Sequence, residues 1–100
     1  MGGKKLGIFI NTDKHLEHIL GICSAARAMD IAVSIFIMDD GVFLTKNSKF
    51  LELVKKGVQI SLCDHAYREK GLEGKVEGVL HGSQYENATI AHECDRFLVF

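Results

Sequence analysis

A thiol, Cys63, stands where an α/β sheet presents chemistry. It follows the apolar run Val58-Gln59-Ile60-Ser61-Leu62, which reads as a buried strand. It precedes the polar stretch Asp64-His65-Ala66-Tyr67-Arg68-Glu69-Lys70, which reads as a helix start stopped by Gly71. Reacting groups in open α/β sheets collect just outside the carboxyl ends of the strands. A helix beginning at such a thiol places the positive end of its dipole near the sulfur, which favours thiolate over thiol. The chemistry on offer is thiol exchange, in which the sulfur is the nucleophile and neither metal nor organic cofactor is needed. The neighbours pull in opposite directions. Asp64 disfavours a thiolate, unless its carboxylate turns back to cap the helix or is balanced by Arg68 one turn on. His65 favours the thiolate when protonated. Position alone leaves two readings of Cys63 open: a reactive sulfur, or a strand-end cysteine packed under a loop.

The other candidate groups carry less. Cys23 falls on the apolar stripe of a helix and reads as a small core residue. Cys94 precedes a terminal strand, at the sheet edge opposite Cys63. A strand length of roughly 15–20 Å separates those edges, and a disulfide needs Cα atoms within about 7 Å, so no Cys63–Cys94 bond is expected. His15 and His18 are one helical turn apart, while His81 and His92 are scattered, and no C-x-x-C pair exists; no metal site is expected. Small-molecule binding at the top of the sheet would draw on Thr12, Asp13, Asp40 and the helix start after Cys63. Neither a G-x-x-x-x-G-K-[ST] loop nor a G-x-G-x-x-G turn is present, and two carboxylates at that edge repel anions.

The elements that must position Cys63 alternate strand and helix, the pattern of a mainly parallel sheet covered on both faces. A strand over Lys5–Ile10 leads to a helix from about Asp13 to Met29, with Leu16, Ile19, Leu20, Cys23 and Ala26 on one face. A nearly continuous apolar strand, Ile31–Met38, is broken by Asp39-Asp40-Gly41. Val42-Phe43-Leu44 forms an apolar patch without strand-like flanks, which either marks an interface, as such patches often do, or tucks under the helix that follows. A helix from Ser48 to Lys56 ends at Gly57. After the Cys63 strand and its short helix come a weaker strand at Val76–Leu80, a helix over Gln84–Glu93 and a strand over Arg96–Phe100.

One hundred residues, 47% hydrophobic and 25% charged, suit one globular domain spanning residues 1–100. A net charge of −1 with interspersed signs offers no nucleic-acid surface. Met1-Gly2-Gly3-Lys4-Lys5 leads into a strand too short for a signal core, and no apolar stretch approaches a bilayer span. With three cysteines and no pairing pattern, a reducing cytoplasmic setting is the expectation.

Four segments, in order and spacing, resemble the DsrE/DsrF-like (DsrEFH) sulfur-relay superfamily over nearly the whole length. They are Ile35-Phe36-Ile37-Met38-Asp39-Asp40-Gly41-Val42, Gly57-Val58-Gln59-Ile60-Ser61-Leu62-Cys63, Ala66 to Gly71-Leu72, and Cys94-Asp95-Arg96-Phe97-Leu98-Val99-Phe100. The resemblance implies a three-layer α/β/α sandwich on a five-stranded sheet. It also implies Cys63 as the catalytic residue that takes and passes sulfur as a persulfide; Asp40, Asp64 and His65, read from their positions near it, are the candidate binding residues. The implied partners are sulfur donor and acceptor proteins and further copies of the chain, as trimer or hexamer, with Val42, Phe43 and Leu44 as the candidate interface. The alternative is a non-catalytic oligomeric module of the same fold. Asp64 stands where the family usually has a small residue, and Ala66 replaces a second cysteine found in some members, which excludes a local two-cysteine cycle. Relay chemistry further expects Cys63 to be open to a visiting protein.

Overall fold

In a computed structural model, which describes residues 3–100, five strands form one parallel sheet. Met1 and Gly2, at the head of the polar leader, lie outside the described residues. The strands β1 (Lys5–Ile10), β2 (Ala32–Ile37), β3 (Gln59–Cys63), β4 (Val79–Gly82) and β5 (Arg96–Val99) lie in the order β4-β3-β2-β1-β5, and every neighbouring pair is parallel. The helices are α1 (Leu16–Ala28), α2 (Ser48–Lys55), α3 (Asp64–Glu69) and α4 (Gln84–Glu93). Three successive crossovers step the same way across the sheet. Right-handed connections therefore put α1, α2 and α3 on one face, and the return from β4 to β5 puts α4 on the other. Consistent with this, a side chain on Gly7 of β1 would press on Ile90 of α4 and on Cys94. The result is the expected three-layer α/β/α sandwich. Among the described residues no helix is long and apolar enough to cross a membrane.

The two faces differ in kind. Residues paired in parallel register share a face, so Ile8 and Ile10 of β1 line up with Ile35 and Ile37 of β2, then with Ile60 and Leu62 of β3. All are buried, and Ile19 and Cys23 of α1 with Phe50 and Leu53 of α2 close over them. On the α4 side the corresponding rows hold Gly7 and Phe9, Ser34 and Phe36, Gln59 and Ser61, and Leu80 with Gly82. Phe36 is the anchor of that face, fully buried and stacked on Phe9 at 6.1 Å. No residue of α4 is itself buried. Leu80 and Tyr85 remain 56% and 74% exposed, and a cleft of about 590 Å³ opens between α4 and strands β2 to β4.

Three local expectations are corrected. Helix α1 starts at Leu16, not near Asp13: His15 caps it without a side-chain hydrogen bond, and the Asn11 N–H is spent on the Phe100 carbonyl at 2.9 Å, which keeps the loop along the sheet. Strand β4 begins three residues late, because the chain turns at Gly78 and the Val76 N–H is committed to a side chain, His81. Val42 and Leu44 are not a surface patch. They lie in a 3₁₀ segment, Asp39–Lys46, and are buried; Phe43 alone of the three keeps appreciable surface. The reason is Gly41, which approaches the Ile10 carbonyl so closely that a Cβ would collide with it. The segment is therefore laid flat on the end of β1 and turns its apolar residues inward. Strand β5 is an edge strand with all four residues exposed.

Because Phe36 is fully buried and stacked on Phe9 on this face, Phe36→Ala is expected to cost about 3–5 kcal/mol in urea unfolding. A loss below about 1 kcal/mol would show that this face contributes little cohesion.

Candidate active site around Cys63

Cys63 is both the last residue of β3 and the N-cap of α3, with extended backbone (φ −80, ψ 110). Strand alternation therefore carries its side chain onto the α4 face, after Gln59 and Ser61. Its register partner on β4 is Gly82. On the β2 side the pairing Ile37 with Leu62 brings Met38 next. The thiol thus lies in a trough between Met38 and Gly82, where α4 begins.

That first turn is tightly fastened. Ser83 is the N-cap of α4 in a complete capping box: its hydroxyl accepts from the Tyr85 N–H at 3.2 Å, and the Glu86 carboxylate accepts from the Ser83 N–H at 2.6 Å. The Gln84 amide reaches Met38 Sδ at 2.9 Å. Cys63 itself is only 8% exposed. This corrects the expectation of an open residue, which rested on the strand end alone; Cys63 belongs to the buried core cluster. The helix after Cys63 is also short, six residues, so its dipole is a small source of thiolate stabilisation.

Asp64 does not cap its own helix. Its Oδ1 lies 2.9 Å from His81 Nδ1 and 3.3 Å from Arg68 Nη2. His81 Nε2 accepts the Val76 N–H at 2.9 Å. A backbone N–H can only donate, so that nitrogen carries no proton and Nδ1–H is the donor to Asp64. The imidazole is packed edge-on against Tyr67 with centroids 4.9 Å apart, and the Tyr67 hydroxyl donates to the Glu73 carbonyl at 3.0 Å. The His81 hydrogen bond, followed by Arg68, holds the Asp64 carboxyl below the usual carboxylate range against some opposing desolvation. His65 faces solvent and pairs with Glu69 of its own helix at 3.3 Å. Asp40 lies 2.9 Å from Lys70 Nζ, which pushes the Lys70 ammonium up and ties the 3₁₀ segment to the end of α3. Of the two carboxylates expected to repel anions at this edge, Asp40 thus has a cationic partner, while Asp13 has no ion-pair partner among the described residues.

His81, Gly82 and Glu86 were not singled out from the sequence, where His81 looked scattered. The one signal that was present is Ser83-x-x-Glu86, the capping-box spacing. Cys23 is fully buried, and burial pushes its thiol up to about 11. Cys94 is half-buried against Gly7, with its thiol also raised by burial. It lies two strands and four register steps from Cys63, about 15 Å by strand geometry. Among the described residues no three His, Cys, Asp or Glu side chains converge to hold a metal ion.

A thiol at the carboxyl end of β3 in a five-stranded parallel α/β/α frame fits the class that the sequence resemblance implies. The family comparison agrees: the DsrE/DsrF-like family matches residues 4–100, and the chain belongs to that family. The fold is shared with the ychN protein from E. coli, whose crystal structure aligns with a TM-score of 0.80 at 20% identity, over 99% of this chain and 100% of that one. At that identity the likeness bears on the fold alone. No curated protein sequence matches the chain.

The Asp64–His81 bond makes a titration prediction. A depressed carboxyl contributes stability that is present above its unfolded-state value and is lost as pH falls through its folded value. In His81→Phe, which keeps a ring against Tyr67, Asp64 is expected to titrate closer to the ordinary value of about 3.9. Its share of the acid-induced loss of stability should shrink accordingly. Carboxyl NMR titration reads this directly, and an unmoved Asp64 would show that His81 is not the cause.

Proposed function

We propose that the protein is a sulfur-relay carrier in which Cys63 accepts sulfane sulfur from a donor protein and passes it to an acceptor thiol. The carrying observation is the place of Cys63 at the carboxyl end of β3, paired with Gly82, in a chain of this family. The other two thiols suit the role poorly, since Cys23 is sealed in the core and Cys94 lies toward the opposite edge. The Cys63 thiolate attacks the outer sulfur of a donor persulfide; that S–S bond breaks, the donor thiolate leaves, and Cys63 becomes the persulfide. An acceptor thiolate then attacks the same outer sulfur and Cys63 leaves as thiolate. No external oxidant or reductant enters, because one S–S bond forms as another breaks. Compensation of Asp64 by His81 and Arg68, and of Asp40 by Lys70, supports the reading by reducing repulsion at this edge. The setting is the reducing cytoplasm, and the carrier works as a homo-oligomer, trimer or hexamer. Of Val42, Phe43 and Leu44, only Phe43 keeps appreciable surface for such an interface.

Incubation with a small-molecule persulfide donor is expected to add one sulfur to Cys63, read by peptide mass spectrometry. A Cys63→Ser protein that takes up as much sulfur as the wild type would sink the proposal.

The 8% exposure of Cys63 favours a second reading, a non-catalytic oligomeric module in which the residue only packs. Under that reading Cys63 in the native protein stays refractory to alkylation at every accessible pH. Alkylation rising with pH through an ordinary thiol range would instead favour the relay.

A further inference from the structure

A homo-oligomer needs a contact surface, and burial of Val42 and Leu44 leaves little of one at the 3₁₀ segment. The outer edge of β5 offers another. Among the described residues β5 pairs only with β1, at the end of the sheet away from β3 and β4. Phe100, just after the strand, donates its N–H to the Phe9 carbonyl at 2.8 Å, and its carbonyl accepts from the Asn11 N–H at 2.9 Å. Alternate residues of a parallel strand bond to a given neighbour, so Leu98 also turns its N–H and C=O toward β1. Phe97 and Val99 turn theirs outward, and among the described residues no backbone group bonds to them there.

Edge strands are usually blunted by a lysine, a proline or a bulge. β5 has none of these: its register with β1 runs unbroken from Leu6 opposite Arg96 to Phe9 opposite Val99, and Phe97-Leu98-Val99 is uncharged. These three apolar side chains are nonetheless 36%, 37% and 61% exposed. The edge also fits itself. Antiparallel pairing of two copies about a twofold axis at Leu98 sets Phe97 of each copy opposite Val99 of the other, and both outward residues then exchange N–H and C=O bonds. Phe97 and Val99, in register with Gly7 and Phe9, form aromatic–aliphatic pairs on the α4 face. Leu98, in register with Ile8, meets its counterpart on the opposite face. Other registers fit less well. Centring on Phe97 would set Val99 opposite Asp95, whose N–H is already bonded to the Lys5 carbonyl at 2.9 Å. Centring on Arg96 would bring two guanidinium groups face to face, which is destabilising.

We infer that the outer edge of β5 is a homotypic interface: two copies pair antiparallel there, centred on Leu98, and join their sheets into one. The inference rests on the reading of the protein as a homo-oligomer and specifies it, because a twofold contact belongs to a dimer or a hexamer and is foreign to a lone trimer. Two edges of four residues fall short of the roughly 1,200 Å² that marks a stable interface, so a dimer held by this contact alone dissociates on dilution.

Sedimentation equilibrium of the full chain from about 1 to about 200 µM is expected to show dimer or hexamer mass at the upper end. Val99→Pro removes only an outward N–H, a place where an edge strand tolerates proline. Leu98→Lys sets two ammonium groups on the axis. Each is expected to halve the mass with the circular dichroism unchanged. Leu98→Cys would place two thiols on Cα atoms about 4.5 Å apart, within disulfide reach. Diamide, which takes up the two hydrogens, is expected to link two copies through position 98, read by non-reducing peptide mass spectrometry. In Phe97→Cys the two Cα atoms would lie roughly 8–9 Å apart, and no link through position 97 is expected. The inference is overturned by a wild type that is monomer or trimer at every concentration, by variants that keep the wild-type mass, by Leu98→Cys staying unlinked, or by Phe97→Cys linking as readily. A trimer would leave the homo-oligomer standing and remove this edge; a monomer would remove both. Sulfur uptake at Cys63, two strands and more from β5, tests the relay separately.

Discussion

The pairing of β3 with β4 is the constraint on which the site depends. Ile60 lies opposite Val79, Ser61 opposite Leu80, Leu62 opposite His81 and Cys63 opposite Gly82. Side chains alternate with a period of two, so a slip of one residue would send Val79 and His81 to the α4 side and Leu80 toward the helical core. The register is held by burial of Val79 and by His81, whose two ring nitrogens are committed to Asp64 and to the Val76 backbone. The imidazole works as a clasp between the start of α3 and the turn before β4. Through it, the residue after Cys63 and the residue before Gly82 are bonded to each other.

From that register follows the difference between the two sides of the sheet. The face toward α1 and α2 is a set of aliphatic rows closed by Ile19, Cys23, Phe50 and Leu53. The other face is built from glycine, serine, glutamine and two stacked phenylalanines, and one ten-residue helix crosses it without burying any residue of its own. The first layer holds most of the aliphatic core, and Cys63 lies on the second face. Helices with few buried contacts are the ones that open at low cost.

The electrostatics at the carboxyl edge follow the same division. Asp64 and Asp40 are bound to donors or cations on or around α3, while Glu86 on the α4 side spends its carboxylate on the N-terminal groups of its own helix. An acidic side chain at a helix N-terminus is favourable in its own right. The capping box therefore stabilises the start of α4.

Much of the frame was legible in the residues. The strand and helix alternation, the apolar stripe of α1, the burial of Cys23 and the position of Cys63 at a strand end all follow from local periodicity, which is a property of neighbours in sequence. What periodicity cannot carry is contact between distant segments. Val42 and Leu44 read as an exposed patch because nothing nearby in sequence covers them; the close approach of Gly41 to Ile10, some thirty residues earlier, turns them inward. His81 looked isolated because its partners, Asp64 and Val76, meet it only once β4 pairs with β3. The sequence by itself determined the class of fold and which cysteine ends β3. Only the tertiary structure decided how deeply Cys63 is buried and that His81 holds the neighbouring Asp64, because both depend on contacts between segments far apart in sequence.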